Sequence, residues 1–250
     1  MADLQSAKNQ RVSEWKKLQT KKGRDKSGTY LIEGMHLIEE ALKTEDIMEY
    51  IIQEDLTLPD SILSSGGPVT TITSEISKAI SSTETPQGIF AVCRKRQNRI
   101  ALSRHKRILM LDGVQDPGNV GTMIRTADAA GMDAVILGEG TADLYNPKVI
   151  RSAQGSHFHL EVEPGSLPEW IVQCKDASIP VYGTALEKAS PYKELEAPDA
   201  FALIVGNEGA GVAPAILEMT DRNLYIPIYG QCESLNVGIA AGILMYHLRK

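Results

Sequence analysis

The chain has 250 residues, a net charge of −6, 42% hydrophobic and 23% charged residues, which is ordinary for a soluble globular protein of one large or two modest domains. No run of about 18 apolar residues is present, which excludes a hydropathy-defined transmembrane helix. The opening segment MADLQSAKNQRVSEWKKL lacks the apolar stretch of a secretory leader. Three widely spaced cysteines, Cys93, Cys174 and Cys232, form no CxxC pair, so a cysteine metal or redox site is not expected and a reducing cytoplasm is.

In chain order, SAKNQRVSEWKKLQTKKGRDKSG reads as a basic helix ending near Gly23. TYLIEGMHLIEEALKT gives a short apolar stretch, a glycine, and an amphipathic helix with Leu37, Ile38, Ala41 and Leu42 on one face. MEYIIQE, VTTIT and GIFAVCRK are strand candidates, PDSILSSGGP is a break, and SEISKAISS is a helix with Ser74 as its expected N-cap. This is a small α/β unit over residues 1–93. A basic linker spans 94–106, and a second α/β unit fills 107–250. Its strand candidates are RILMLDGV, DAVILGE, HLEVE, IPVYGT, FALIVGN and NLYIPI, with helices between most of them. That alternation predicts a mostly parallel sheet with helices on both faces.

Charge is unevenly spread. Residues 1–30 hold eight Lys/Arg against three Asp/Glu, and residues 93–107 hold seven Lys/Arg and no acid. Such local patches suit a polyanion even on an acidic chain, because contact is local and screened beyond about 10 Å. Solvated surface segments are the plainer reading of the same runs.

Ligand sites of parallel sheets lie at the carboxyl ends of strands. Three loops there combine glycine with polar residues: QDPGNVG after RILMLDGV, GNEGAG after FALIV, and YGQCESLN after NLYIPI. The first leads into a helix, yet it is neither GxGxxG nor GxxxxGK[ST]; it carries Asn119 and, six residues on, Arg125. Each loop alone reads more readily as a turn or a helix start than as a site, with Ser234 or Asn236 capping. Three of them on one sheet point to a ligand with several polar edges.

NVGTMIRTADAAG, IVGNEGAGV and IPIYGQCESLNVGIAAGILMY, in this order and spacing, resemble the three signature motifs of the SpoU/TrmH family of RNA 2′-O-ribose methyltransferases, within the SPOUT superfamily. NPKVIRSAQGSHFHL is similar to that family too, and the likeness runs from about Lys106 to the end. GTYLIEGMHLIEEAL resembles, over a shorter pattern, the family's accessory RNA-binding domain. The resemblance implies S-adenosyl-L-methionine as methyl donor, a trefoil knot in the sheet domain, and a homodimer. Carried over residue by residue, it implies a catalytic set of Asn119, Arg125, Glu208, Ser234 and Asn236. The implied donor pocket is formed at Thr184, Gly206, Gly211, Ile226 and Leu235. One departure is Gly238, where many members carry serine.

The implied reaction moves a methyl from a sulfonium to a ribose 2′-hydroxyl, which asks the protein for alignment and the handling of one proton. Arg125, near a helix start that suits phosphate, can hold a phosphate and stabilise a developing oxyanion. A guanidinium stays protonated above about pH 12, so it is a poor general base. His157 and His159 are expected to share one face of a strand; with no third ligand nearby, no metal site is expected. Trp15 and Trp170 read as packing residues. An accessory domain favours 23S rRNA over tRNA as substrate. A non-catalytic RNA-binding assembly factor and a dinucleotide-dependent oxidoreductase are the competing readings. The intact polar set weighs against the first, and the missing GxGxxG against the second.

Overall fold

The computed structural model describes residues 2–44, 47–96 and 100–249. The backbone gathers into two units. One holds Met1–Gln97 and Tyr145–Phe158, the other Asn98–Leu144 and His159–Lys250.

The first unit is built from α1 (Gln10–Lys17), α2 (Lys21–Ser27), β1 (Thr29–Glu33), α3 (Met35–Leu42), β2 (Ile47–Gln53), α4 (Asp60–Leu63), β3 (Val69–Ile72), α5 (Ser74–Ile80) and β4 (Ile89–Arg94), joined by a later helix, α7 (Pro147–Ala153). Its sheet runs β1-β4-β2-β3, with β4 antiparallel to both neighbours and β3 parallel to β2. Side chains alternate across strands. Tyr30, Ile32, Tyr50, Ile52, Ala91 and Cys93 therefore pack with α3 and α7, while Ile51, Ile72, Phe90 and Val92 pack with α1 and α5.

Two expectations are corrected here. The basic helix is two helices, and Gly23 lies inside the second rather than at an end. A Cβ at Gly23 would stand 2.0 Å from the Lys17 carbonyl oxygen, so glycine permits the tight turn between them. The actual stop is Gly28, left-handed at φ 68°. The cap of α5 is Thr73, whose side chain accepts from the Ile76 N–H, not Ser74. Of the basic linker, residues 97–99 lie outside the described residues.

The second unit holds β5 (Arg107–Asp112), α6 (Pro117–Ala129), β6 (Ala134–Leu137), β7 (Glu161–Pro164), α8 (Leu167–Asp176), β8 (Val181–Thr184), β9 (Ser190–Pro191), β10 (Phe201–Gly206), α9 (Pro214–Leu217), β11 (Arg222–Tyr225) and α10 (Val237–Leu248). Seven parallel strands run in the order β7-β6-β5-β10-β8-β11-β9. Ile108, Met110, Ala134, Ile136, Val181, Ala202 and Ile204 pack on one face with α8 and α9. Their alternates, among them Leu109, Leu111, Leu203 and Val205, are equally buried and face α6 and α10. Both faces are covered, which is why these strands read as continuous apolar runs. From β5 the chain builds outward to β7, crosses to β8, then returns to lay β10 between β5 and β8. That reversal opens a crevice at the carboxyl ends of the central strands.

The strand expected over NLYIPI stops at Tyr225, leaving Ile226 onward as loop. His157 and His159 do not alternate on a strand. His157 is buried in a short 3-10 turn, with Nε2 3.3 Å from the Tyr30 hydroxyl. His159 is exposed beyond it, 3.4 Å from an Asp128 carboxylate oxygen. Among the described residues no His/Cys/Asp/Glu group is arranged to hold a metal, and no helix is long and apolar enough to cross a membrane.

Candidate active site at the carboxyl edge of the sheet

Strand β5 delivers the chain into the loop before α6, where Asp116 caps the helix by accepting from the Asn119 N–H at 3.0 Å. Pro117 occupies the first helical position, where its missing N–H costs nothing. Beside this loop, β10 ends in Gly206. A Cβ there would lie 2.1 Å from the Gly211 carbonyl carbon and the Val212 nitrogen, so the backbone folds back on itself through an Asn207–Gly211 bridge. Asn207 closes that turn, its Oδ1 accepting from the N–H groups of Gly209 and Ala210, while its Nδ2 donates to the Gly113 carbonyl at 2.8 Å. The Ala213 N–H donates to Asp112 at 2.8 Å. The second glycine loop is thus tied to the end of β5.

These ties bring Glu208 against the first loop. Its carboxylate accepts from the N–H of Gln115 at 3.1 Å, the N–H of Asp116 at 3.0 Å and Nδ2 of Asn119 at 3.0 Å. Burial pushes the Glu208 carboxyl up, but the hydrogen bonds from Asn119, Asp116 and Gln115 outweigh it and hold the group below its ordinary value. The helix start expected to suit a phosphate already faces an anion of the protein's own.

The third loop joins through Asn236. Its Nδ2 donates to Oδ1 of Asn119 at 3.0 Å, and its Oδ1 accepts from the N–H groups of Gly238 and Ile239, capping α10. The chain of bonds has one self-consistent direction. A carboxylate only accepts and a backbone N–H only donates, so both amides are oriented by its two ends. Glu208, Asn119 and Asn236, from three separate loops, are one polar unit.

The loops enclose an open cleft of about 630 Å³, within the size of small-molecule sites. Thr184, Gly206, Gly211, Ile226 and Leu235 all line it, as do Glu208, Ser234 and Asn236. Its charged lining residues are Glu187, Glu208 and Glu233, with no lysine or arginine. Asn119 reaches the site through its two hydrogen bonds. Arg125 does not line the cleft: six residues along α6 displace it by about 9 Å and turn it to another face. It is exposed, with no hydrogen bond or ion pair among the described residues. At Gly238 a Cβ would press on the capping Asn236 Oδ1 at 3.2 Å but meet Thr122 Cγ2 of α6 at 3.6 Å, an ordinary contact, so the packing of α10 on α6 does not itself require glycine there.

Asp112 and Glu187 lie outside the loops the sequence marked, and Asn207 and Glu233 lie within them but were given no role. Asn two residues before Gly is a local turn signal for Asn207; the tie of Asp112 to Ala213 and the placing of Glu187 and Glu233 on one cleft become visible only once strands lie side by side.

The SpoU rRNA Methylase family profile matches residues 106–246, and a profile of the MRM3-like substrate binding domain matches residues 9–91. The chain is 55% identical over 249 residues, covering 100% of both proteins, to the 23S rRNA (guanosine(2553)-2'-O)-methyltransferase RlmP of Bacillus subtilis. Among solved structures, an RNA 2'-O ribose methyltransferase superposes with a TM-score of 0.86 at 31% identity, over 98% of this chain and 97% of that one. An AdoMet-bound rRNA methyltransferase from Sinorhizobium meliloti superposes with a TM-score of 0.88 at 28% identity, over 98% and 96%.

Proposed function

Because the chain belongs to the SpoU rRNA methylase family, we propose that it transfers a methyl group from S-adenosyl-L-methionine to the ribose 2′-hydroxyl of a guanosine in 23S rRNA, the one equivalent to position 2553 of its B. subtilis relative. The observation that carries this reading is the Glu208–Asn119–Asn236 unit on the wall of a cleft whose charged lining is wholly acidic. That lining fits the donor, whose sulfonium and ammonium outweigh its one carboxylate. When bound, S-adenosyl-L-methionine supplies an activated methyl on sulfur.

The residues of the chain then have separable tasks. Backbone and apolar groups at Thr184, Gly206, Gly211, Ile226 and Leu235 hold the donor. Glu208, Asn119 and Asn236 are positioning residues that keep the three loops in register. Ser234, exposed on the cleft wall, accepts the hydrogen bond of the incoming 2′-hydroxyl and turns an oxygen lone pair toward the methyl. No strong base is required. As the carbon–oxygen bond forms the hydroxyl proton becomes acidic and passes to Ser234 Oγ, whose own proton leaves to water. Arg125, exposed on α6, binds an RNA phosphate as a cation rather than removing that proton.

The basic residues of 1–30 and 93–107 supply RNA affinity, and the second unit supplies chemistry. The division into 1–93, 94–106 and 107–250 is the functional one on this reading. The protein works as a homodimer in the cytoplasm, where its substrate is made. Gly238 and Gly242 face Thr122 and Thr126 of α6, so that side of α10 is already covered within the chain. The partner face is therefore Ile239 and Tyr246, exposed at 56% and 58% and seven residues apart on one side of the helix.

The test is methyl transfer from labelled donor to an unmodified 23S rRNA transcript, with the modified ribose mapped. One methyl at the equivalent guanosine supports the proposal. Transfer only to tRNA, or none with donor bound, overturns it.

A further inference from the structure

The loop from Ile226 to Leu235 carries a residue that the donor site does not use. Tyr229 is 89% exposed, more than any other large hydrophobic side chain among the described residues. Its ring contacts no other aromatic or cation and its hydroxyl makes no hydrogen bond among the described residues. It follows directly on Ile228, a lining residue of the cleft, and precedes Glu233, Ser234 and Leu235, which also line it. A bare aromatic side chain thus stands one residue from the lining of the cleft where, on the proposed reaction, the ribose arrives.

The charge of that lining decides what the side chain can bind. Glu187, Glu208 and Glu233 line the cleft and no lysine or arginine does, so a phosphate gains nothing there. The part of a nucleotide that can be held beside such a lining is the uncharged base. A 2′-hydroxyl presented at the bottom of a loop-walled cleft also requires a nucleotide out of its helical stack, and an unstacked base regains its lost contact on an aromatic ring.

We infer that Tyr229 is the stacking platform for the unpaired base of the nucleotide being methylated. This rests on the proposed reaction for which ribose is addressed, but not for the stacking itself. The base lies on the ring of Tyr229 while its ribose reaches Ser234 and the donor. The hydroxyl of Tyr229 has no part, because stacking needs only the ring.

The experiment compares wild type with Tyr229→Ala and Tyr229→Phe in three measurements. The first is the steady-state rate on unmodified 23S rRNA, where Tyr229→Ala should lower kcat/KM by about 5- to 150-fold, the range of one lost base–aromatic stack, mainly through KM. Tyr229→Phe should stay close to wild type. The second is donor affinity by calorimetry, unchanged in both variants. The third uses a synthetic rRNA fragment whose target nucleotide keeps its ribose but lacks its base; on it wild type and Tyr229→Ala should react alike. Equal activity of Tyr229→Ala and wild type on intact RNA overturns the inference, as does a Tyr229→Phe variant as weak as alanine. Loss of donor binding, or a shift to monomer in light scattering, would reassign the ring to the donor or to a second copy of the chain and equally overturns it. Binding of a short single-stranded RNA carrying 2-aminopurine separates the two levels. If wild type methylates no rRNA yet quenches this probe through Tyr229, the proposed reaction fails and the stacking face stands.

Discussion

Replacing Asn236 with aspartate separates what this residue does for the fold from what it does for the site. Its Oδ1 caps α10 through the N–H groups of Gly238 and Ile239, and its Nδ2 donates to Asn119 at 3.0 Å. Aspartate keeps the capping oxygen and places a negative charge at a helix N-terminus, worth about 0.3–1 kcal/mol in its favour. It loses the donor and sets a carboxylate oxygen against Asn119 Oδ1. Asn119 cannot turn its amide to compensate, because its Nδ2 already serves the Glu208 carboxylate. Losing this exposed amide–amide hydrogen bond costs about 0.5–1.5 kcal/mol, or roughly 2- to 10-fold in rate if the network orients the reacting groups. Alanine loses both functions, with about 0.5–2 kcal/mol lost from the cap alone. The assay is single-turnover methyl transfer beside thermal unfolding. The expected pattern is an aspartate variant that melts close to wild type, the capping gain offsetting the lost bond, but reacts roughly 2- to 10-fold more slowly, and an alanine variant that is both slower and less stable. An aspartate variant with full activity would refute the relay; one as unstable as alanine would refute the separation of roles.

At Arg125, lysine should retain partial activity, down about 30- to 1,000-fold for the lost planar fork, alanine should lose more, and both should bind donor normally; full activity of the alanine variant removes Arg125 from the reaction. Because Glu208 is held below its ordinary value of 4.5, its contribution to stability is full above about pH 4.5 and is lost as pH falls through the lower folded value. The melting difference between wild type and Glu208→Gln should accordingly close on acidification, and a difference that instead grows would show the sign to be wrong. Cys93 and Cys174 are buried and Cys232 exposed, with burial raising the Cys174 thiol to about 11; a thiol reagent near pH 8 should label one cysteine in the native protein and three in denaturant. Gly206→Ala must displace backbone only 2.1 Å away, so donor affinity measured by calorimetry should drop at least 10-fold, and an unchanged affinity would mean the loop can shift without consequence.

The strands of the second unit were readable because they are buried on both faces and appear as unbroken apolar runs. The three polar loops were readable because each follows an apolar strand run and combines glycine with polar residues, although of their glycines only Gly206 proves to stand at a strand end. What was not readable followed from long-range placement. Nothing local told that Glu208 accepts from Gln115 and Asp116, since those contacts exist only because β10 lies beside β5. The same holds for Arg125. Its motif position suggested the helix start, but a helix turns 100° per residue, and six residues carry it off the cleft wall. Gly23 was misread because a helix-ending glycine and a glycine forced by close approach look alike in sequence; only the 2.0 Å approach of Lys17 distinguishes them. The return of residues 145–158 to the first unit has no local signal either, since α7 carries an ordinary amphipathic pattern.

The two ligands make opposite demands on charge, and the distribution of ionic residues answers both. A lysine or arginine on the cleft wall, about 6 Å from a sulfonium, would cost about 3 kcal/mol at an effective dielectric near 20, close to a hundredfold in donor affinity. The cleft instead carries three carboxylates and no cation, while Arg125 projects from another face of α6. Of the three carboxylates only Glu208 is held by the protein, through three hydrogen bonds. Its charge is therefore largely spent on fixing loops. Glu187 and Glu233, both exposed, make no such bonds among the described residues, so on the proposed donor site their charge stays available to the sulfonium. Transfer of the methyl converts a sulfonium into a neutral thioether, so their attraction favours donor over spent product. If the donor binds in this cleft as proposed, the acids on its wall serve binding before the reaction and release after it, with no change in the protein between the two.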